Sequence, residues 1–210
     1  MKDLVELFFE NYEDDINRYN NSKPWPMPSD NYPELKNAIK AYLSNKDVES
    51  LARSFIEICG RDFFDTYHYF KMDMPKDKEG AIQFLAKHIS EIAPEAITTI
   101  KDLIDGKPIK VLRYVLIDDF KKINFTRLGE CWSDYRFKEK FWFEEHIMDE
   151  ANDDDYMEFI AIVPAEACSI SESFIFDMIY QGYEFEIKVK DQSKIKLLSI
   201  RLKNNSEYVS

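Results

Sequence analysis

The 210 residues carry 28 Lys and Arg against 40 Asp and Glu, a formal net charge of −12 that repels phosphate backbones over most of the surface and disfavours broad non-specific DNA binding. A hydrophobic share of 45%, with 16 Phe, 12 Tyr and 3 Trp, supplies a packed core and excludes wholesale disorder. Five Gly and 8 Pro exclude a collagenous or low-complexity chain.

The amino terminus, MKDLVELFFENYEDD, has acids inside its short apolar stretch and no small-residue cleavage site, so no secretory signal is expected. Leu4, Val5, Leu7, Phe8 and Phe9 begin an apolar helical face that Ile16 continues. Three alternating prolines in Lys23–Pro28, with Trp25 among them, forbid a helix and predict an extended connector. Ser29 or Asp30 then caps a helix whose Leu35, Ile39, Tyr42 and Leu43 fall at i, i+4, i+7 and i+8. Asp47 caps the next, in which Leu51, Phe55 and Ile58 share a face. After a break near Gly60 come the aromatics Phe63, Phe64, Tyr67 and Phe70. Ile82, Leu85, Ala86 and Ile89 predict one more amphipathic segment, and Ile97, Ile100 and Ile104 a last one ending at Gly106.

The pattern then changes. Ile109–Leu116 is short, β-branched and bounded by turn residues, and Tyr156–Val163, Tyr183–Lys190 and Lys194–Leu202 look alike. In the third of these, Phe185, Ile187 and Val189 alternate with Glu184, Glu186 and Lys188, which predicts one buried and one polar face. Asp191-Gln192-Ser193 predicts a tight hairpin to the last strand. Phe137–Met148 reads as a helix between strands. The expected class is α+β, a helical region over residues 1–106 followed by a β-rich domain over 107–210.

Most familiar chemistries find no purchase. His68, His88 and His146 lack metal-site spacing, and Asp153-Asp154-Asp155 lacks the alternation and closing Glu of a calcium loop, so no metal is expected. GxGxxG, GxxxxGK[ST] and GxSxG are all absent. Cys59, Cys131 and Cys168 are odd in number and scattered, which speaks against a disulfide framework. Apolar runs such as Phe159–Val163 fall far short of the ~20 residues that span a bilayer. The expectation is a soluble, cytoplasmic protein with no membrane partner.

What remains is spread over the second half. Arg113 is a lone cation in Val111-Leu112-Arg113-Tyr114-Val115. Gly129-Glu130-Cys131-Trp132-Ser133 is a glycine, a short apolar step and a hydroxyl. Glu184 and Glu186 open a late strand, where extended geometry puts them on one face about 6–7 Å apart. Arginine on one strand, hydroxyl at another and E-x-E on a third, in this order, resembles the mono-ADP-ribosyltransferase family of bacterial toxins and phage enzymes. The similarity runs from about Ile109 to Leu202. It extends to Pro164 after the hydrophobic strand and to a closing catalytic hairpin through Lys194-Ile195-Lys196-Leu197-Leu198.

The resemblance implies a split antiparallel β-sheet that binds NAD as substrate and transfers ADP-ribose to a macromolecular acceptor, a protein arginine first and a nucleic acid second. It implies Glu186 as the carboxylate that bonds the ribose 2′-hydroxyl, and Glu184 as the group that engages the acceptor. It implies Arg113 on the NAD phosphates or adjoining ribose, Ser133 on the nicotinamide ribose or on Glu186, and Tyr114 and Trp132 beside them. Two departures stand out: Tyr114 follows the arginine where members commonly have Gly, and Cys-Trp-Ser replaces the commoner S-T-S. Each residue also has a plainer reading. Arg113 pairs with Asp118 or Asp119, Ser133 caps a helix near Tyr135, the two glutamates form a solvated strand face, and Trp132 is core. The helical first half carries no catalytic signal; covering the cleft, selecting a target or binding a cognate inhibitor are its expected roles. The rival function is a non-enzymatic acidic binding or inhibitor protein, on an inactive transferase fold or another.

Overall fold

A computed structural model describes residues 4–22, 32–59, 74–116, 122–140, 156–176 and 185–203. The protein is α+β, with helices leading and a six-stranded antiparallel sheet following. Its packing divides into two compact units, Met1–Ile97 with Phe174–Gly182, and Thr98–Ser173 with Tyr183–Ser210.

The first unit holds α1 (Leu4–Phe9), α2 (Tyr12–Ser22), α3 (Tyr32–Asn45), α4 (Val48–Cys59) and the part of α5 (Lys78–Ile104) up to Ile97. The apolar faces expected from the sequence are its core: Phe8, Ile16, Leu35, Ile39, Leu51, Phe55, Ile82, Leu85 and Ile89 are all buried. Asp47 caps α4, accepting from the Ser50 backbone N–H at 3.1 Å and the Ser50 hydroxyl at 2.7 Å. The two segments expected at Ile82–Ile89 and Ile97–Ile104 are one 27-residue helix with Pro94 inside it. Proline deletes one backbone donor, and buried Ile92, Ala93, Ala96 and Ile97 on either side hold the helix through that gap. Gly106, at φ +74°, ends α5: its N–H reaches Leu103 O at 3.0 Å and that of Lys107 reaches Asp102 O at 2.9 Å. The Lys23–Pro28 connector, the caps at Ser29 and Asp30, and the aromatics at 63–70 lie outside the described residues.

The second unit carries the sheet: β1 (Ile109–Leu116), β2 (Cys131–Asp134), β3 (Tyr156–Val163), β4 (Cys168–Ser169), β5 (Glu186–Val189) and β6 (Lys196–Lys203), in the order β4-β5-β2-β1-β3-β6. The short helix α6 (Ile170–Phe176) follows β4. The core on one sheet face gathers Ile109, Val111, Trp132, Phe159, Ala161, Val163, Ile187 and Val189; a smaller cluster joins Leu112, Tyr114, Tyr156 and Phe185.

One sequence expectation fails here, and a second is described only at its start. β5 and β6 do not form a hairpin, because β5 is already flanked on both sides by β2 and β4 while β6 pairs with β3. The residues between them make a 3-10 turn, Gln192–Lys194, capped by Asp191, whose carboxylate accepts from the Ser193 N–H at 3.2 Å. The helix expected from Phe137 begins instead as the 3-10 segment Tyr135–Lys140, non-helical at Phe137; 141–148 fall outside the described residues.

β2 is anchored by a buried acid. Asp134, wholly buried, accepts from Thr99 Oγ1 at 2.7 Å, from the Arg136 backbone N–H at 3.0 Å and from Arg136 Nε at 3.0 Å. Asp134, not Ser133, therefore caps the turn that follows. Arg136 also pairs with Asp102 on α5. The hydrogen bond from Lys107, first, and the Arg136 guanidinium hold the Asp102 carboxyl below its ordinary range against the opposing effect of burial.

β1 pairs unequally with its two neighbours. It pairs with β3 along all of Ile109–Leu116, but with β2 only through Val111↔Asp134 and Leu112↔Ser133. Beyond Leu112 the two strands part.

Candidate functional site

A cleft of about 190 Å³ opens where they part, lined by Leu112, Arg113, Tyr114, Cys131, Trp132, Ser133 and Glu186. Five of the six residues singled out from the sequence thus meet, drawn from β1, β2 and β5: Arg113, Tyr114, Trp132, Ser133 and Glu186. Glu184, the sixth, lies outside the described residues. Most small-molecule sites measure roughly 300–1,000 Å³, so this cleft is smaller than a typical ligand site.

The register explains the row of groups on one side. Ser133 pairs with Leu112 across one ladder and with Glu186 across the other, so all three stand on one face of the sheet. Arg113 is one residue further along β1 and belongs by alternation to the opposite face, beside Val111 and Trp132. It is nonetheless among the residues that line the cleft. Its Nη1 donates to Leu128 O at 2.7 Å; Asp118 and Asp119, the partners of the plainer reading, lie outside the described residues.

Gly129 makes room for that guanidinium. Its φ is +92°, and a Cβ built there would fall on the Arg113 side chain. The surrounding turn is pinned at three points: Trp132 Nε1 donates to Gly129 O at 3.0 Å, the Gly129 N–H to Gln192 Oε1 at 2.8 Å, and the Val189 N–H to Glu130 O at 2.8 Å. Trp132 is accordingly a core residue, 2% exposed, whose indole N–H fixes the turn over Arg113. Gly129→Ala is expected to cost about 1–3 kcal/mol of stability through the positive φ. It should also displace Arg113. Denaturant unfolding checks the first; a variant as stable as the wild type would show that the turn tolerates a side chain.

Glu186 does not sit on a solvated strand face. Its side chain is 13% exposed, and its Oε1 lies 2.8 Å from Nζ of Lys188, which is 1% exposed. Lys188 Nζ also reaches Cys131 Sγ at 2.7 Å. Burial disfavours the charge on Lys188, but Glu186 and Cys131 beside it outweigh burial and hold its pKa above the ordinary lysine range, so it is an ammonium. Burial, then the Glu186 charge, pushes the Cys131 thiol up, so it stays protonated near neutral pH. Sequence reasoning missed Lys188 because alternation assigned it to the polar face; no charge pattern reveals that this face is covered.

The residue before Glu186 is strained. Phe185 has φ +46°, a left-handed conformation that costs a non-glycine residue about 1–3 kcal/mol. Its ring packs on Phe137 at 4.8 Å between centroids, and its carbonyl accepts from the Asp134 N–H at 2.9 Å. The bend sends Phe185 into the smaller core cluster, away from Ile187, so the strict alternation expected from Glu184 to Val189 breaks at this point. Tyr114, in the same cluster, is 8% exposed and meets Tyr156 edge to face at 5.3 Å. Lys138 Nζ bonds the buried Glu158 next to it at 2.8 Å.

Among the described residues no group of three or more His, Cys, Asp or Glu is arranged to hold a metal, and no helix is long and apolar enough to cross a membrane. No protein-family model matches the chain, and no curated protein or solved structure is significantly similar to it.

Proposed function

We propose that this protein is a mono-ADP-ribosyltransferase whose sheet is a transferase-like split sheet, parting between β1 and β2. One observation carries the reading: Arg113, Ser133 and Glu186, far apart in the chain, line a single cleft where the sheet opens. Arg113 offers a planar pair of donors to phosphate oxygens of NAD. Ser133, directly across the ladder from Glu186, holds the nicotinamide ribose or orients that carboxylate. Glu186 bonds the ribose 2′-hydroxyl and stabilises the positive charge that develops at C1′ as the bond to nicotinamide breaks. Nicotinamide leaves with the bonding electron pair. An acceptor nitrogen supplies the pair for the new bond and gives up a proton, which Glu184 takes where the acceptor is a protein arginine. NAD is a substrate here, and a macromolecular acceptor and a cognate inhibitor are the partners this reading entails.

A second reading, a non-enzymatic binding protein on an inactive fold of this kind, is favoured by the Lys188–Glu186 pair, which places a cation beside the proposed catalytic carboxylate. Incubation of the purified protein with NAD and candidate acceptors, followed by chromatography for free nicotinamide, separates the two. The transferase reading expects nicotinamide release with ADP-ribose added to an acceptor or to water. No release over buffer alone gives the chain to the second reading.

A further inference from the structure

We propose that Lys188 is a positioning residue that fixes the Glu186 carboxylate in the cleft, with Cys131 as its second contact; this rests on Glu186 being the catalytic carboxylate. A glutamate at the opening of a strand has three rotatable side-chain bonds, and catalysis needs its oxygens held in one place. Lys188 is two residues along the same strand, on the same side as Glu186, and its ammonium meets Oε1 at 2.8 Å. Cys131 stands across the ladder from Lys188, as Ser133 stands across from Glu186, so the four residues form a two-by-two block on β2 and β5. The lysine is itself immobilised. Its backbone N–H donates to Ser173 Oγ at 2.9 Å, Ser173 Oγ donates to Ser169 O at 2.6 Å, and Ser169 pairs with Lys188 across the β4–β5 ladder. A wholly buried ammonium is costly unless its partners are fixed, and here a carboxylate and a thiol supply them.

The cation partly offsets the field that Glu186 exerts on a developing positive charge, so what Lys188 adds is geometry, not charge. Positioning therefore predicts an effect on turnover with little effect on NAD binding, since Arg113 lies on β1 and is untouched.

The test is steady-state NAD hydrolysis by the full chain with Lys188→Met, Lys188→Gln and Lys188→Arg. Expected are a kcat lower by about 10–100-fold in the Met variant with KM within about threefold of wild type, and partial recovery in the Arg variant. Lys188→Gln, which keeps a hydrogen-bond donor, decides the matter if the Met variant does not fold. A folded Lys188→Met, or a folded Lys188→Gln where the Met variant does not fold, whose kcat stays within about twofold of wild type overturns the positioning role and leaves the transferase reading standing. No NAD turnover by the wild type itself overturns both. A fall in kcat accompanied by an equal rise in KM marks general damage to the cleft and overturns the positioning role as well.

Discussion

Glu186→Gln is expected to slow nicotinamide release from NAD by about 10²–10³-fold or more, because the group lost stabilises charge that exists only in the transition state. Gln keeps the size and one acceptor oxygen but carries no charge to set against the cationic ribose. The substitution has a second consequence that the sequence does not foretell. Lys188, 1% exposed, would lose the carboxylate that lies 2.8 Å from its ammonium, so stability should fall by about 3 kcal/mol. Initial rates must therefore be normalised to folded protein, and a Glu186→Gln, Lys188→Met double variant should recover part of the lost stability while remaining inactive. Wild-type rates in folded Glu186→Gln would remove this carboxylate from the mechanism.

Arg136→Met should be strongly destabilising although the residue lies outside the cleft. It leaves Asp134, wholly buried on β2, with the Thr99 hydroxyl and the residue 136 backbone N–H but no cation. Removing one partner of a buried pair costs about 3–5 kcal/mol. The Arg136 side chain is 38% exposed, so solvent screening lowers the expected loss to roughly 2–4 kcal/mol. Urea unfolding measures it. A loss under about 1 kcal/mol would mean that Asp134 is satisfied without the guanidinium. Because Ser133 is the neighbouring residue on β2, a folded Arg136→Met should also show weaker NAD turnover.

Much of this architecture can be read from the chain because local pattern and burial agree. Ile109–Leu116 and Tyr156–Val163 are apolar, β-branched and bounded by turn residues, and each is a strand over those residues. The apolar stripes of α3, α4 and α5 face a core as their spacing requires. Where reading failed, a tertiary partner decided the outcome. Alternation along Glu186–Val189 announces a strand but is silent about its neighbours, and β2 and β4 take both of its edges. Cys168–Ser169 is too short to carry any periodicity, yet it makes β4. The two apolar segments at Ile82–Ile89 and Ile97–Ile104 are one helix, with Pro94 inside it.

The site divides in the same way. Arg113, Ser133 and Glu186 were nameable because their residue types and order resemble a family pattern, from which Tyr114 and the Cys-Trp-Ser step depart, and these residues line one cleft. Lys188 and Gln192 were not nameable. Lys188 owes its place to the covering of a face that looks polar, and Gln192 to a bond across 63 residues that no local pattern encodes. The burial of Phe185 was legible but its conformation was not, because a left-handed phenylalanine is disfavoured by its own backbone and persists only where Phe137 and the Asp134 N–H hold it.

The central claim is that the opening between β1 and β2 binds NAD through Arg113. Calorimetric titration of NAD into the wild type and into Arg113→Ala tests it most directly. Saturable one-site binding by the wild type, weakened at least about tenfold in Arg113→Ala as expected for loss of a charge-assisted pair, is the predicted result. Equal affinity in the two proteins, or no heat of binding in the wild type, would contradict it.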